Sequence, residues 1–187
     1  MNKVNIDTNA FIYPMPMVLV GAMVDGKANF LAVAWVSRVS MRPPLIAVAL
    51  GPHHTNAGIE KHGQFSVNVP DVALLEKTDY CGLVSGKKVD KSALFDVHFG
   101  KLAAAPLIGE CPLSMACRLF EKVALPHGVL YLGEILEAFC EEGCMSDGKP
   151  DIAKMRPFTL TMPDNGYWAV GERVGSAWSS GRNLGDK

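Results

Sequence analysis

The run Leu45-Ile46-Ala47-Val48-Ala49-Leu50 carries no polar side chain, and it lies between Pro43-Pro44 and Gly51-Pro52. A strand with one wetted face alternates polar and apolar residues, so a run that is apolar throughout has to be buried on both faces. The prolines lack an N–H donor and pin φ, which marks where ladder pairing stops. The strand therefore belongs in the wall of a closed barrel or beneath a subunit interface.

The rest of the chain supplies partners for it. Met15 to Val24 is a β-branched and apolar run, and Asp25-Gly26 offers a tight turn into Ala28 to Ser40, so these read as a hairpin. Thr55 is placed to cap a short helix running to Glu60 or Lys61, closed by Gly63 ahead of a strand from Gln64 to Val69. Asp71 is placed to cap a helix from Val72 to Tyr80, with Gly82 beyond its end. Leu113 to Val123 and Val129 to Cys140 read as two long strands. The last hairpin is Phe158 to Met162, the turn Pro163-Asp164-Asn165-Gly166, and Tyr167 to Val170. Many strands separated by short helices give a mainly β (α+β) chain, an antiparallel barrel with peripheral helices rather than βαβ units. At 187 residues without repeats or linkers, a single domain over 1–187 is expected, burying about 70% of its unfolded surface.

Several function classes drop out. The net charge is −1 and there is no basic run, so nucleic acid is not the main partner. The N-terminus has no secretory apolar stretch, and the apolar runs fall short of the ~20 residues of a membrane helix. A cytoplasmic protein is expected. Cys81, Cys111, Cys117, Cys140 and Cys144 are an odd set, which fits reduced thiols. Cys140 and Cys144 have tolerable zinc spacing without a second close pair, so a metal or redox-thiol protein is the weakest alternative. There is no Gly-x-Gly-x-x-Gly, and Gly143 to Lys149 has P-loop spacing with Pro150 where the metal-binding hydroxyl belongs.

The segment from Asn29 to Thr55 is the chemically promising one. Ala32, Ala34, Ser37 and Ser40 let backbone approach a flat ligand and offer donors to its edge. Thr55 near a helix N-terminus brings a hydroxyl and free amides, a ready anion site, and Lys91 adds a positive charge. Each residue also has an ordinary reading. Trp35 alone is a core or interface aromatic, Lys91 a solvated surface charge, Ser37 and Ser40 strand hydroxyls, and His53 and His54 loop residues. The spacing of the group is what argues for a site.

In order and spacing, the chain resembles the flavin reductase-like family of FMN-binding split barrels, with the Trp35 segment similar to the flavoredoxin branch. The resemblance rests on Asn29 with Trp35-Val36-Ser37, Val39-Ser40 before Pro43-Pro44, and His54-Thr55 ahead of Gln64-Phe65-Ser66-Val67-Asn68. It extends through Ser85-Gly86 with Val89-Asp90-Lys91, Leu130 to Ile135, and Gly166-Tyr167-Trp168. It implies a six-stranded Greek-key split barrel, paired as a homodimer with FMN near the subunit interface. It further implies that Asn29, Trp35, Thr55 and Lys91 surround the FMN phosphate. Ala34, Val36, Ser37, Ala49, Leu50 and Gly51 then lie along the ring and ribityl chain, with Ser40, read from its hydroxyl, as a further cofactor contact. The implied activity is passage of reducing equivalents through FMN, from NAD(P)H or a redox protein such as ferredoxin, with no catalytic side chain required. A non-catalytic split-barrel module binding flavin or haem is the alternative. Reductases of this family carry a nicotinamide-facing histidine where this chain has Gly128; His127 is one residue early, and in a strand that slip turns it away from the flavin.

Overall fold

The computed structural model describes residues 1–6, 8 and 10–184, with only the backbone of residue 183. Seven strands form one antiparallel sheet: β1 (Val18–Val24), β2 (Lys27–Val33), β3 (Val36–Ser40), β4 (Leu45–Leu50), β5 (Gln64–Val69), β6 (Leu113–Leu125) and β7 (Gly128–Cys140). Helix α1 (His54–His62) lies between β4 and β5, and α2 (Leu75–Leu83) follows β5. A small sheet joins Met15–Pro16, β8 (Phe158–Thr161) and β9 (Gly166–Ala169).

The order across the large sheet is β2-β1-β5-β6-β7-β4-β3. Its two outer strands, β2 and β3, are separated in sequence by Ala34 and Trp35 alone. Three Cα steps hold Val33 and Val36 within about 11 Å, so the two ends of the sheet must meet and the sheet curls into a barrel. No ladder joins β2 to β3 among the described residues. The barrel is therefore split along that seam. Ala34 and Trp35 make the crossing: the Val36 amide donates to the Ala34 carbonyl at 3.1 Å and the Ala49 amide to the Trp35 carbonyl at 2.9 Å.

The split barrel expected from the sequence is thus the observed fold. The run Ala28 to Ser40 differs from expectation, because it is two strands and not one arm of a hairpin. At the seam the chain leaves β1 and takes β4 as its partner, a tertiary event without a local sequence signal. The turn before it behaves as expected, with Asp25 at φ 50° and Gly26 at φ 80°, the left-handed pair that a type I′ hairpin demands.

Side-chain alternation explains the unbroken apolar runs. Val18, Val20 and Ala22 of β1 and Ile46, Val48 and Leu50 of β4 face the barrel interior with Phe65, Val67 and Tyr131. Leu19 and Phe30 face outward into a second core with Leu74, Cys81, Phe95 and Ile108, so β1 is covered on both sides. Tyr131 is fully buried, and its hydroxyl donates to Glu60 at 2.9 Å, where Lys122 also reaches Glu60 at 3.0 Å. These bonds pin α1 over the end of the barrel and hold the Glu60 carboxyl below its ordinary pKa.

The helix ends show where local reading stops. Gly63 closes α1 as expected, at φ 60° with its amide on the Ile59 carbonyl at 2.8 Å. The N-cap is His53 and not Thr55, which sits inside the first turn. Asp71 caps as expected, accepting from Ala73 and Leu74, but it starts a 3-10 turn that leads into α2, and Gly82 lies within that helix.

Helix α1 seats on β1 through Gly58, where an added Cβ would collide with the Met23 carbonyl oxygen and lie 2.8 Å from Val24 Cγ2. Gly58→Ala gains up to about 1 kcal/mol of helix propensity and loses about 1–3 kcal/mol to overpacking against backbone that the sheet holds. A lower melting temperature by circular dichroism is expected. An unchanged or higher value would mean that α1 is not seated this closely.

Candidate functional site

Two cavities meet where the barrel is split. One, of about 620 Å³, is walled by Leu31 to Trp35 from the seam, by Ala49 to Gly51 at the end of β4, and by Leu125 to Gly128 at the turn between β6 and β7. The other, of about 630 Å³, lies over the start of α1 and is closed by Gly82 to Lys87 and Lys91. Leu31 and His53 line both. They adjoin at these two residues, one cavity mainly apolar in its lining and the other polar.

The apolar end is built from short side chains. Ala32, Ala34, Ala49, Gly51 and Gly128 leave room for a flat ligand, and no carboxylate lines the cavity. At Gly128 an added Cβ would collide with the Leu50 carbonyl, so the glycine is what lets the β6–β7 turn close against β4. Trp35 is 57% exposed and stands at the rim. His127 also lines this cavity. The expectation that a one-residue slip turns it away is corrected, since strand β7 begins at Gly128 and His127 lies in the turn, where strand alternation does not apply.

The polar end gathers hydrogen-bond donors and positive charge. No side chain caps α1 and its first turn contains no acidic residue, so its positive end is uncompensated. Thr55 is buried and its Oγ1 accepts from Asn29 Nδ2 at 2.8 Å. Asn56 donates to the Gly51 carbonyl at 2.9 Å, and its Oδ1 is buried without a partner. Gly86 presses against Asn29, because a Cβ there would overlap Asn29 Oδ1.

Lys91 is the unusual residue. Only 3% exposed, it donates from Nζ to the Phe30 carbonyl at 3.0 Å and the Cys81 carbonyl at 2.7 Å. The reading of Lys91 as a surface charge is therefore corrected: β2 and α2 present carbonyls that hold it under the polar cavity. No carboxylate lines that cavity, and burial pushes the Lys91 pKa down. Burial also pushes the Cys81 thiol up to about 11, so no thiolate stands by as a counter-ion. A buried cation with carbonyls but no anion lacks charge compensation, and an anionic ligand supplies it.

Of the residues expected at the site, Ala34, Trp35, Ala49, Leu50 and Gly51 line the apolar cavity, and Asn29, Thr55 and Lys91 the polar one. Trp35 is thus on the apolar side of the group in which it was placed. Val36 packs against the barrel core, the Ser37 hydroxyl donates to the Arg38 carbonyl at 3.2 Å, and the Ser40 carbonyl accepts from Arg38 at 2.6 Å. Those three line neither cavity. The sequence reading assigned no role at the site to His53, Asn56 or Lys87, which have no distinguishing local pattern. Among the described residues no group of three or more His, Cys, Asp or Glu side chains is placed to hold a metal ion.

The flavin reductase like domain family matches residues 10–153. The chain belongs to the flavin reductase-like family. Flavoredoxin from Methanosarcina acetivorans is 51% identical, with 98% of this chain and 100% of that chain covered and a TM-score of 0.96. Flavoredoxin of Desulfovibrio vulgaris (Miyazaki F) is 32% identical over 97% of this chain and 100% of its own, with a TM-score of 0.91. An FMN-binding protein from Thermus thermophilus with bound 1-cyclohex-2-enone reaches a TM-score of 0.78 at 21% identity over 94% and 97%, a likeness of fold alone. FMN, the cofactor expected from the sequence, is the one named for that protein.

The Asn29–Thr55 contact is structural as well as part of the cavity. Thr55→Val keeps shape and leaves the buried Asn29 Nδ2 without its acceptor, a loss of about 1–3 kcal/mol. Urea denaturation is expected to give a lower midpoint with an unchanged slope; a wild-type midpoint would mean that Asn29 has another partner.

Proposed function

We propose that this chain is an FMN-binding flavoprotein of the flavoredoxin type, a flavin-dependent oxidoreductase that passes reducing equivalents between a donor and an acceptor through the bound flavin. The observation that carries the reading is the joined pair of cavities. The apolar end, floored by alanine and glycine, fits a flat tricyclic ring; the polar end, with buried Lys91 and the uncapped start of α1, fits a phosphate dianion. The orphaned Asn56 Oδ1 fits a hydroxyl donor such as those of a ribityl chain.

On this reading Ala34, Trp35, Ala49, Leu50, Gly51 and Gly128 hold the ring, while Asn29, Thr55 and Lys91 hold the phosphate end. The flavin, when bound, supplies the hydride and electron chemistry. The residues lining the apolar cavity would position the ring and exclude water from its faces. Lys91 supplies charge without moving a proton. His127, at the apolar cavity, is placed to contact a second substrate, which favours NAD(P)H as a donor beside a redox protein such as ferredoxin.

The same face supports a homodimer. Trp35 and Leu125 line the apolar cavity and stay exposed, and Phe120, Val123 and Leu136 add exposed apolar residues along β6 and β7, surface that a second copy covers. The whole of 1–187 acts as one domain on this reading. No helix among the described residues is long and apolar enough to cross a membrane.

The purified protein is expected to take up FMN and give flavin absorption bands. Under anaerobic conditions the bands should bleach on addition of NADH or NADPH, or else only with a reduced ferredoxin. Flavin bands that no donor but dithionite reduces would favour a non-catalytic binding module, and a protein that takes up no FMN would overturn the reading.

A further inference from the structure

Only two described residues line both cavities, Leu31 and His53, and His53 is the only one that titrates. Its backbone is fixed as the N-cap of α1, at φ −113° and ψ 158°. Its ring lies beside Gly51, with Nε2 3.5 Å from the point where a Cβ on that glycine would stand. The groups facing it are cationic or neutral: Lys91 and Lys87 from the polar wall, His54 from the next position on α1, and His127 from the β6–β7 turn, with no carboxylate in either lining. Partial burial, and then the Lys91 charge, hold the His53 pKa below its ordinary value.

We infer that His53 is a phosphate-responsive positioning residue, which takes up a proton from solvent when a phosphate monoester enters the polar cavity beside it. The inference rests on the FMN reading and adds a role for a residue outside it. A dianion in the polar cavity offsets the field that Lys91 imposes on His53, and a nearby opposite charge favours the imidazolium. The proton then sits where the two cavities adjoin, and there the imidazolium donates to the anion and fixes the ligand's register across the two.

Isothermal titration of FMN at pH 6.0, in two buffers of different ionisation enthalpy, counts the protons exchanged. The ligand phosphate itself titrates with a second pKa of about 6, a contribution common to wild type and variants. The difference between proteins is therefore the readout. Wild type is expected to take up a sizeable fraction of a proton more than His53→Gln, while His54→Gln keeps the wild-type count. The affinity gap between wild type and His53→Gln should widen as pH falls, by up to about tenfold for each unit that binding raises the histidine pKa. His53→Lys, charged throughout, should bind FMN more tightly than wild type at pH 8 and lose the extra proton uptake. Equal proton counts and parallel pH profiles in wild type and His53→Gln would overturn the inference while leaving the FMN site intact. Absence of FMN binding in wild type would overturn both.

Discussion

A two-residue connection governs this molecule. Because Ala34 and Trp35 alone link the outermost strands of a seven-stranded sheet, the sheet cannot lie open, and chain length forces its ends together. The same residues cannot pair with both neighbours, so the barrel closes without a ladder at the seam. The apolar cavity begins there. Small residues at the seam, the end of β4 and the β6–β7 turn keep that gap from filling with side chains, and the two cores on either face of β1 hold its walls apart. Closure, opening and a flat apolar slot thus share one cause.

Charge at the far end has the opposite economy. Burying Lys91 without a carboxylate costs stability, since two carbonyls satisfy hydrogen bonds but do not neutralise charge. Burial of Asn29 and Thr55 is tolerable because they bond each other. Only Lys91 is left needing an anion, and it lies beside the uncapped positive end of α1. On the proposed reading, an anionic ligand turns this unfavourable term into a favourable one.

Much of this was legible in the residues. The all-apolar Leu45–Leu50 run required two buried faces, Asp25-Gly26 required its left-handed turn, and Gly63 required the end of α1. Each is a local rule that tertiary structure had no reason to override. The break at Ala34–Trp35, the cap at His53 and the 3-10 start of the second helix were not legible, because each is decided by a partner distant in sequence. The same holds at the site. Thr55 and Lys91 stand out as candidates by residue type and Asn29 through the family resemblance, and all three line the polar cavity, whereas the burial of Lys91 depends on carbonyls of Phe30 and Cys81 that no local window contains. His127 escapes strand alternation for a related reason: the fold puts it in the turn before Gly128.

On the proposed reading the polar cavity holds a phosphate and Lys91 supplies the charge that offsets it. Comparing the affinities of FMN and riboflavin in wild type and in Lys91→Met tests it most directly, because riboflavin shares the ring and lacks the phosphate. A charge-assisted hydrogen bond of about 1.5–3 kcal/mol predicts that wild type prefers FMN by roughly tenfold to a hundredfold, and that Lys91→Met loses most of that preference while still binding riboflavin. Equal affinity for the two ligands in wild type, or an undiminished preference in Lys91→Met, would contradict the account.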